Sequence, residues 1–260
     1  MATAPRQSAI MAEGKASDRG YYSPLDRGSA SDEAYGKIVD LILIRELRPG
    51  ERTSVNLLAD RLALGKTPIK EAITRLQTEG VLTVVGRSGT TVKSISAEEA
   101  RQLFALRRVL EEFAADAIVK NISRADILNL HKLLRELKAN SYNPTDIIQS
   151  SANFVRANVA FHSTIVSTAM NPFLNRLYAQ LQIQAQIVTY LVHRGYDLKA
   201  ARRRQAEHEE IVSALEHRDA RQLRRILRIH AETSENVILQ SLVVVNDSKK
   251  AATNNRSARV

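Results

Sequence analysis

Cysteine is absent from the 260-residue chain. Neither a disulfide nor a thiolate metal site can form, and a reducing compartment suits such a protein. Also missing is any uninterrupted apolar run long enough to cross a bilayer, and no signal-peptide core follows Met1. A soluble, cytoplasmic protein with no membrane partner is the expectation. No internal repeat or low-complexity tract occurs, and the length allows one large or two small domains with real cores. The charge balance leans one way, at a formal +10, which suggests a polyanionic partner. The excess is spread along the chain, however. Residues 31–95 hold ten cations and eight anions, residues 96–245 hold twenty and sixteen, and residues 246–260 contribute a net +3. Placement of individual charges has to locate the partner surface.

Residues 1–30 are small, polar and charged without apolar periodicity, and a disordered tail is expected there. From Ser31 the pattern changes. Ser31 or Asp32 can cap a helix whose apolar face is Tyr35, Ile38, Val39, Ile42 and Leu43, and Pro49-Gly50 makes the turn after it. Ser54 is the candidate cap of a second short helix with Leu58, Ala59 and Leu62 inward. Thr67-Pro68 then signals a third helix. Ile69, Ala72, Ile73 and Leu76 form its packed side, and Lys66, Lys70, Thr74 and Gln77 fall on a polar side. Glu71 and Arg75 are spaced to pair along it, and Gly80 is placed to end it. Two β-branched runs around Gly86-Arg87-Ser88-Gly89 predict a hairpin with Arg87 at its tip. Three helices and a hairpin make a winged helix-turn-helix over 31–95, which sets its last helix in the major groove and its wing against the adjacent groove or backbone.

The remainder, 97–243, reads as six helices and no strand. Leu103, Leu106, Leu110, Phe113 and Ala117 mark the face of the first, and Ile127, Leu130, Leu134 and Leu137 that of the next, after a Ser123 cap. Asn143-Pro144 and Asn171-Pro172 break the pattern, and residues 246–260 read as a disordered basic tail. The fold class is therefore mainly α, a winged head followed by an all-α bundle.

Of six histidines, His131, His193 and His217 read as surface residues. His162, His208 and His230 instead share faces with apolar residues on three different helices, and Asn158 stands one turn before His162. Three unrelated buried imidazoles are the plain explanation. The sharper one is a metal site, because bundle interiors are where ligands from facing helices converge, and neutral imidazole suits zinc, nickel, copper or iron.

Taken together these residues resemble the GntR family of bacterial transcription regulators, in its FadR-type branch with an FCD effector domain. In the head the resemblance lies in Leu47-Arg48-Pro49-Gly50-Glu51-Arg52, Leu57 to Leu62 and Thr67 to Ile73, with Gly89 in the wing. In the bundle it lies in Leu106 to Glu111, Phe161-His162, Asn171-Pro172, Glu207 to Ile211 and His230. Six bundle helices resemble the shorter, VanR-like subgroup. The resemblance implies a non-enzymatic homodimer on a pseudo-palindromic operator, with contacts at Lys66, Thr67, Lys70, Arg75, Arg87 and Gly89. It implies a divalent metal, zinc or nickel, held by Asn158, His162, His208 and His230, and a small organic-acid effector with Arg107 beside its carboxylate. The alternative for Arg107 is an ion pair with Glu111.

Three departures stand out. Lys66 and Lys70 replace arginines, keeping charge but losing bidentate geometry to guanine. Asn56 also stands where an arginine often contacts DNA. Asn158 replaces an acidic ligand with an amide that adds no charge. A metal-dependent hydrolase built on the bundle is the alternative function, since bound water can be activated at such a site. Against it, no histidine is followed by aspartate, so the His-Asp signature of helical phosphohydrolases is missing.

Overall fold

The computed structural model describes residues 28–84, 89–141, 145–192 and 198–257; for residues 186, 188–192 and 243–257 it describes the helical backbone alone. The expected tail before Gly28, the wing tip with Arg87, the Asn143-Pro144 break and His193 lie outside the described residues. Among the described residues the head comprises α1 (Ala30–Leu43), β1 (Arg52–Thr53), α2 (Val55–Leu62), α3 (Lys66–Thr78), β2 (Leu82–Val84) and β3 (Thr90–Val92).

Ser29, not Ser31 or Asp32, caps α1, accepting from the Asp32 N–H at 3.1 Å. The helix thus opens two or three residues earlier than the apolar pattern indicates, because a cap needs only an oxygen before the first turn. All five expected face residues of α1 are buried. Ser54 caps α2 as expected. Helix α3 begins at Lys66 behind Gly65, which offers no side-chain cap, so Pro68 falls within the first turn rather than at its edge. Its missing N–H costs nothing there. Ile69, Ala72, Ile73 and Leu76 are buried, and Gly80 ends the helix in the left-handed region at φ +71°.

Strand β1 was not expected. It pairs antiparallel with β3, giving the sheet order β1-β3-β2. Two residues carry no periodicity, and β1 exists because β3 offers it a partner. Gly89 stands at φ +91°, and a Cβ on it would meet the Thr53 carbonyl oxygen at 2.7 Å. Its glycine identity is therefore explained by wing closure before any contact with DNA.

The bundle comprises α4 (Ala97–Asn121), α5 (Arg124–Asn140), α6 (Ile147–Ser167), α7 (Pro172–Val192), α8 (Leu198–Glu216) and α9 (Ala220–Ser257). Capping boxes start α4 (Ser96 with Glu99) and α5 (Ser123 with Asp126). Glu99 is held down at about 2 by the Ser96 backbone and by Lys93. The Asn171 side chain accepts from the N–H groups of Phe173 and Leu174 at the head of α7. The expected six bundle helices are present, but α9 continues to Ser257, through most of the stretch read as a disordered tail. Lys249, Lys250, Ala251 and Ala252 are the helix formers of that stretch, and they form no apolar stripe to read in advance.

Helix α4 departs from expectation in a way that matters. The stripe read as its inward face is split: Leu106 is 52 % exposed and Phe113 73 %, while Leu103, Leu110 and Ala117 are partly buried against the core. The buried side carries Ala100, Phe104, Arg107, Glu111, Ala114, Ala115 and Ile118. A charged pair occupies the interior where the pattern put leucines. Head and bundle share one core. Ala152, Val155 and Val159 of α6 and Ile183 and Ile187 of α7 cluster with Ile38, Ile42 and Leu76 of the head, and Arg156 pairs with Asp40 beside them.

Candidate functional site

Helix α6 places Asn158 and His162 one turn apart on its inner side, α8 contributes His208 and α9 contributes His230. Each of the four is buried. One ring nitrogen from each histidine lies within 4.8 Å of the others. His162 Nε2 and His230 Nε2 are 3.1 Å apart, the spacing that two imidazoles sharing one ion at about 2.0–2.1 Å would have. Phe161 packs its ring edge-on to both His162 and His208 and keeps that flank apolar. Among the described residues, both ring nitrogens of His208 and the Oδ1 of Asn158 are buried without a hydrogen-bond partner. Orphaned lone pairs in a closed interior are costly unless something occupies them. Three neutral imidazoles and an amide oxygen are donors that a borderline divalent ion accepts, so these residues fit a metal.

Burial pushes all three histidines well below their ordinary range. For His162 and His230 the Arg107 guanidinium adds to it, and for His208 the neighbouring His230 and Arg204 do. The imidazoles are thus neutral at neutral pH, as metal ligation requires.

Arg107 is fully enclosed, at 0 % exposure. Its Nε donates to Glu111 Oε1 at 2.9 Å, and its Nη2 lies 3.1 and 3.2 Å from the ring nitrogens of His162. The Tyr178 hydroxyl also donates to Glu111, and Gln182 stands 3.2 Å from that hydroxyl. The ion pair of Arg107 with Glu111 is present, and the same guanidinium adjoins His162. Among the described residues, its Nη1, Glu111 Oε2 and Gln182 Nε2 have no partner. Burial disfavours the Arg107 charge, but Glu111 and Tyr178 outweigh it and hold the guanidinium protonated.

Sequence reasoning overlooked Glu207, Tyr178 and Gln182 as parts of this centre. Glu207 Oε2 lies 2.9 Å from His230 Nδ1. Adjacent residues on a helix point about 100° apart, so proximity to His208 in sequence gave no sign of a contact with His230. Tyr178 and Gln182 read as ordinary members of an apolar helix.

On the head, Lys66, Thr67 and Lys70 are exposed along one side of α3. Arg75 is not available in the same way. Instead of pairing with Glu71 it reaches Glu79 at 3.1 Å and Asp32 at 3.2 Å and stacks 3.9 Å over the Tyr35 ring. It ties α3 to α1, because α1 offers it a carboxylate and an aromatic face. His131 and His217 lie at the surface as expected, His131 with Glu216 at 2.8 Å.

Residues 30–92 match the bacterial regulatory proteins of the gntR family, and residues 102–233 match the FCD domain. The chain belongs to the GntR family and carries an FCD domain. It is a DNA-binding transcriptional regulator with an effector-binding domain. The HTH-type transcriptional regulator YdhC of Bacillus subtilis is 26 % identical over 143 residues, 55 % of this chain and 62 % of YdhC, so the alignment leaves over a third of that relative uncovered. The Nta operon transcriptional regulator of Aminobacter aminovorans is 25 % identical over 74 % of this chain and 87 % of its own. Among solved structures, Escherichia coli McbR/YncC superposes with a TM-score of 0.71 at 21 % identity, covering 83 % of this chain and all of that one. The last likeness concerns the fold. In this GntR regulator no described helix is long and apolar enough to cross a membrane.

Proposed function

We propose that this regulator is a VanR-like member of the FadR branch whose operator affinity is set by a small carboxylate bound at a divalent ion, zinc or nickel, in the bundle. His162, His208, His230 and Asn158 would hold the ion. Arg107, with Nη1 free of partners, would face the carboxylate. The observation that carries this reading is His208, buried with both ring nitrogens unused between two other histidines. Lys66, Thr67 and Lys70 would meet the operator, with Arg87 and the wing alongside.

Helices α6 and α7 connect the two sites. α6 carries Asn158 and His162 on one side and Ala152, Val155 and Val159 in the head's core on another; α7 carries Tyr178 and Gln182, then Ile183 and Ile187. A ligand that shifts either helix at the histidines shifts the packing under α1 and α3. That is a coupling free energy between two sites. The hydrolase alternative draws no support, since the carboxylates near the histidines are engaged: Glu111 by Arg107 and Tyr178, Glu207 by His230 and Thr233.

Lys70→Ala and Lys66→Ala should each weaken operator binding about tenfold near physiological salt, with a shallower salt dependence and an unchanged fold. His208→Ala should bind operator like the parent yet lose metal and effector response. Electrophoretic mobility shift with and without effector reads both, and a His208→Ala protein that still responds would refute the metal-bridged mechanism.

A homodimer is also proposed, through the outward stripe of α4. Leu106, Val109 (63 % exposed) and Phe113 lie there, and Phe173 and Leu177 of α7 are exposed in the same manner. Tyr178 bonded to Glu111, and Ala185 clustered with Ala100 and Phe104, fit two helices that run antiparallel and side by side. Five large apolar side chains in water on adjoining helices mark an association surface. Because one patch serves both copies, it suits a two-fold contact. Phe113→Asp is expected to yield monomers at micromolar concentration by light scattering, with helical content retained; a dimeric variant would move the interface elsewhere.

A further inference from the structure

Glu207 follows no apolar pattern and lies next to His208, yet its contacts are with the last helix. It is 6 % exposed. Oε2 stands 2.9 Å from Nδ1 of His230, while Oε1 accepts from Thr233 Oγ1 at 2.8 Å and Arg203 Nε at 3.1 Å. Partners on α8 and α9 thus fix both carboxylate oxygens. A fixed acceptor at Nδ1 selects the tautomer that carries its proton there, which leaves the lone pair on Nε2. That nitrogen faces the other histidines, 3.1 Å from His162 Nε2.

We propose that Glu207 is the positioning residue of the metal centre and the carrier of its compensating charge. The proposal rests on the histidine triad being a metal site. Three imidazoles and the Asn158 amide bring no charge to a divalent ion, so none of it is neutralised by a direct ligand. Glu111, the carboxylate on the other flank, lies 3.7 Å from His162 Nδ1 and is already neutralised by Arg107 at 2.9 Å. Glu207 has an arginine as well, but Arg203 is largely solvent-exposed at 66 % of its side chain, where a cation offsets little. The charge that most metal sites place on a ligand therefore stands one residue further out here, behind His230. Such outer carboxylates raise the basicity of the imidazole and lock its orientation, and losing one typically weakens metal binding about 10–100-fold.

The test uses the full chain, stripped with chelator and titrated calorimetrically with Ni²⁺ and Zn²⁺, with Co²⁺ as an absorbance probe of the ligand field. Glu207→Gln keeps an acceptor at Nδ1 but drops the charge, and is expected to bind about tenfold more weakly with a parent-like Co²⁺ spectrum. Glu207→Ala drops both, and is expected to fall toward 100-fold with an altered spectrum. Glu209→Gln removes the same charge two positions on, where among the described residues the side chain meets only Gln205 at 3.0 Å, and should match the parent within about twofold. Thermal midpoints of the metal-free variants establish that each is folded. If Glu207→Gln and Glu207→Ala bind like a metal-binding parent, Glu207 has no such role and the histidine site survives. If Glu209→Gln falls equally, the effect is bulk charge and the proposal is overturned. If the parent takes up none of the three ions, the metal reading and this proposal fall together.

Discussion

Replacing Arg107 with methionine is expected to cost about 3–5 kcal/mol of unfolding free energy, measured by urea denaturation of the metal-free protein. The side chain is wholly buried, and its partner Glu111 is 1 % exposed. Methionine fills much of the same volume, so packing is a minor part of the loss. What remains is a carboxylate in a low-dielectric interior with, among the described residues, only the Tyr178 hydroxyl donating to it. Breaking a buried pair from one side is far costlier than removing both charges. The double change Arg107→Met with Glu111→Gln should therefore recover more than half of the deficit, since a neutral amide still accepts from Tyr178. A single variant losing under about 1 kcal/mol would show that water or relaxation reaches Glu111. Because Arg107 also touches His162, the same variant should lose its effector response while the double variant regains stability without regaining that response.

Acidification should destabilise the metal-free protein steeply below pH 6.5. His162, His208 and His230 all sit well below their ordinary value through burial, compounded by Arg107 for two of them and by His230 and Arg204 for His208. Above about pH 6.5 folded and unfolded chains both hold these imidazoles neutral, and pH changes nothing through them. Below it the unfolded chain takes up protons that the native state refuses, so stability falls with pH. Each histidine contributes at most about 1.4 kcal/mol per pH unit, and three together about 4. Urea midpoints at pH 7.5, 6.5 and 5.5 in chelator would show the slope, and His208→Gln should flatten it by about a third. Saturating metal should raise stability most at the upper end, where the ligands are already free of protons. A flat profile to pH 5 would mean that the histidines are solvated, and would count against the closed site.

Much of the architecture was legible in one dimension because the relevant forces are local. Tyr35 to Leu43, Ile69 to Leu76 and Leu130 to Leu137 repeat at helical spacing, and the structure buries them on one side each. Ser54 and Ser123 cap helices because a hydroxyl before a first turn has N–H groups within reach whatever the rest of the fold does. Three histidines on apolar faces of three helices could be picked out in the same way. That they meet could not, since convergence depends on how α6, α8 and α9 cross.

Other features belong to tertiary structure alone. β1 exists only against β3. Arg75 abandons the neighbour its spacing favours for Asp32, Glu79 and Tyr35. α4 turns Leu106 and Phe113 outward and its Arg107–Glu111 pair inward, the reverse of what hydrophobicity dictates for a lone helix in water. The reason is the same in each case. Apolar periodicity says that a face will be covered but not by what, and a charge prefers the interior only when a fixed partner waits there. The sequence alone determined the helices, the winged head and the identity of the histidines. Packing decided which face of α4 is inside, which carboxylate stands behind His230, and that one core joins the head to the bundle.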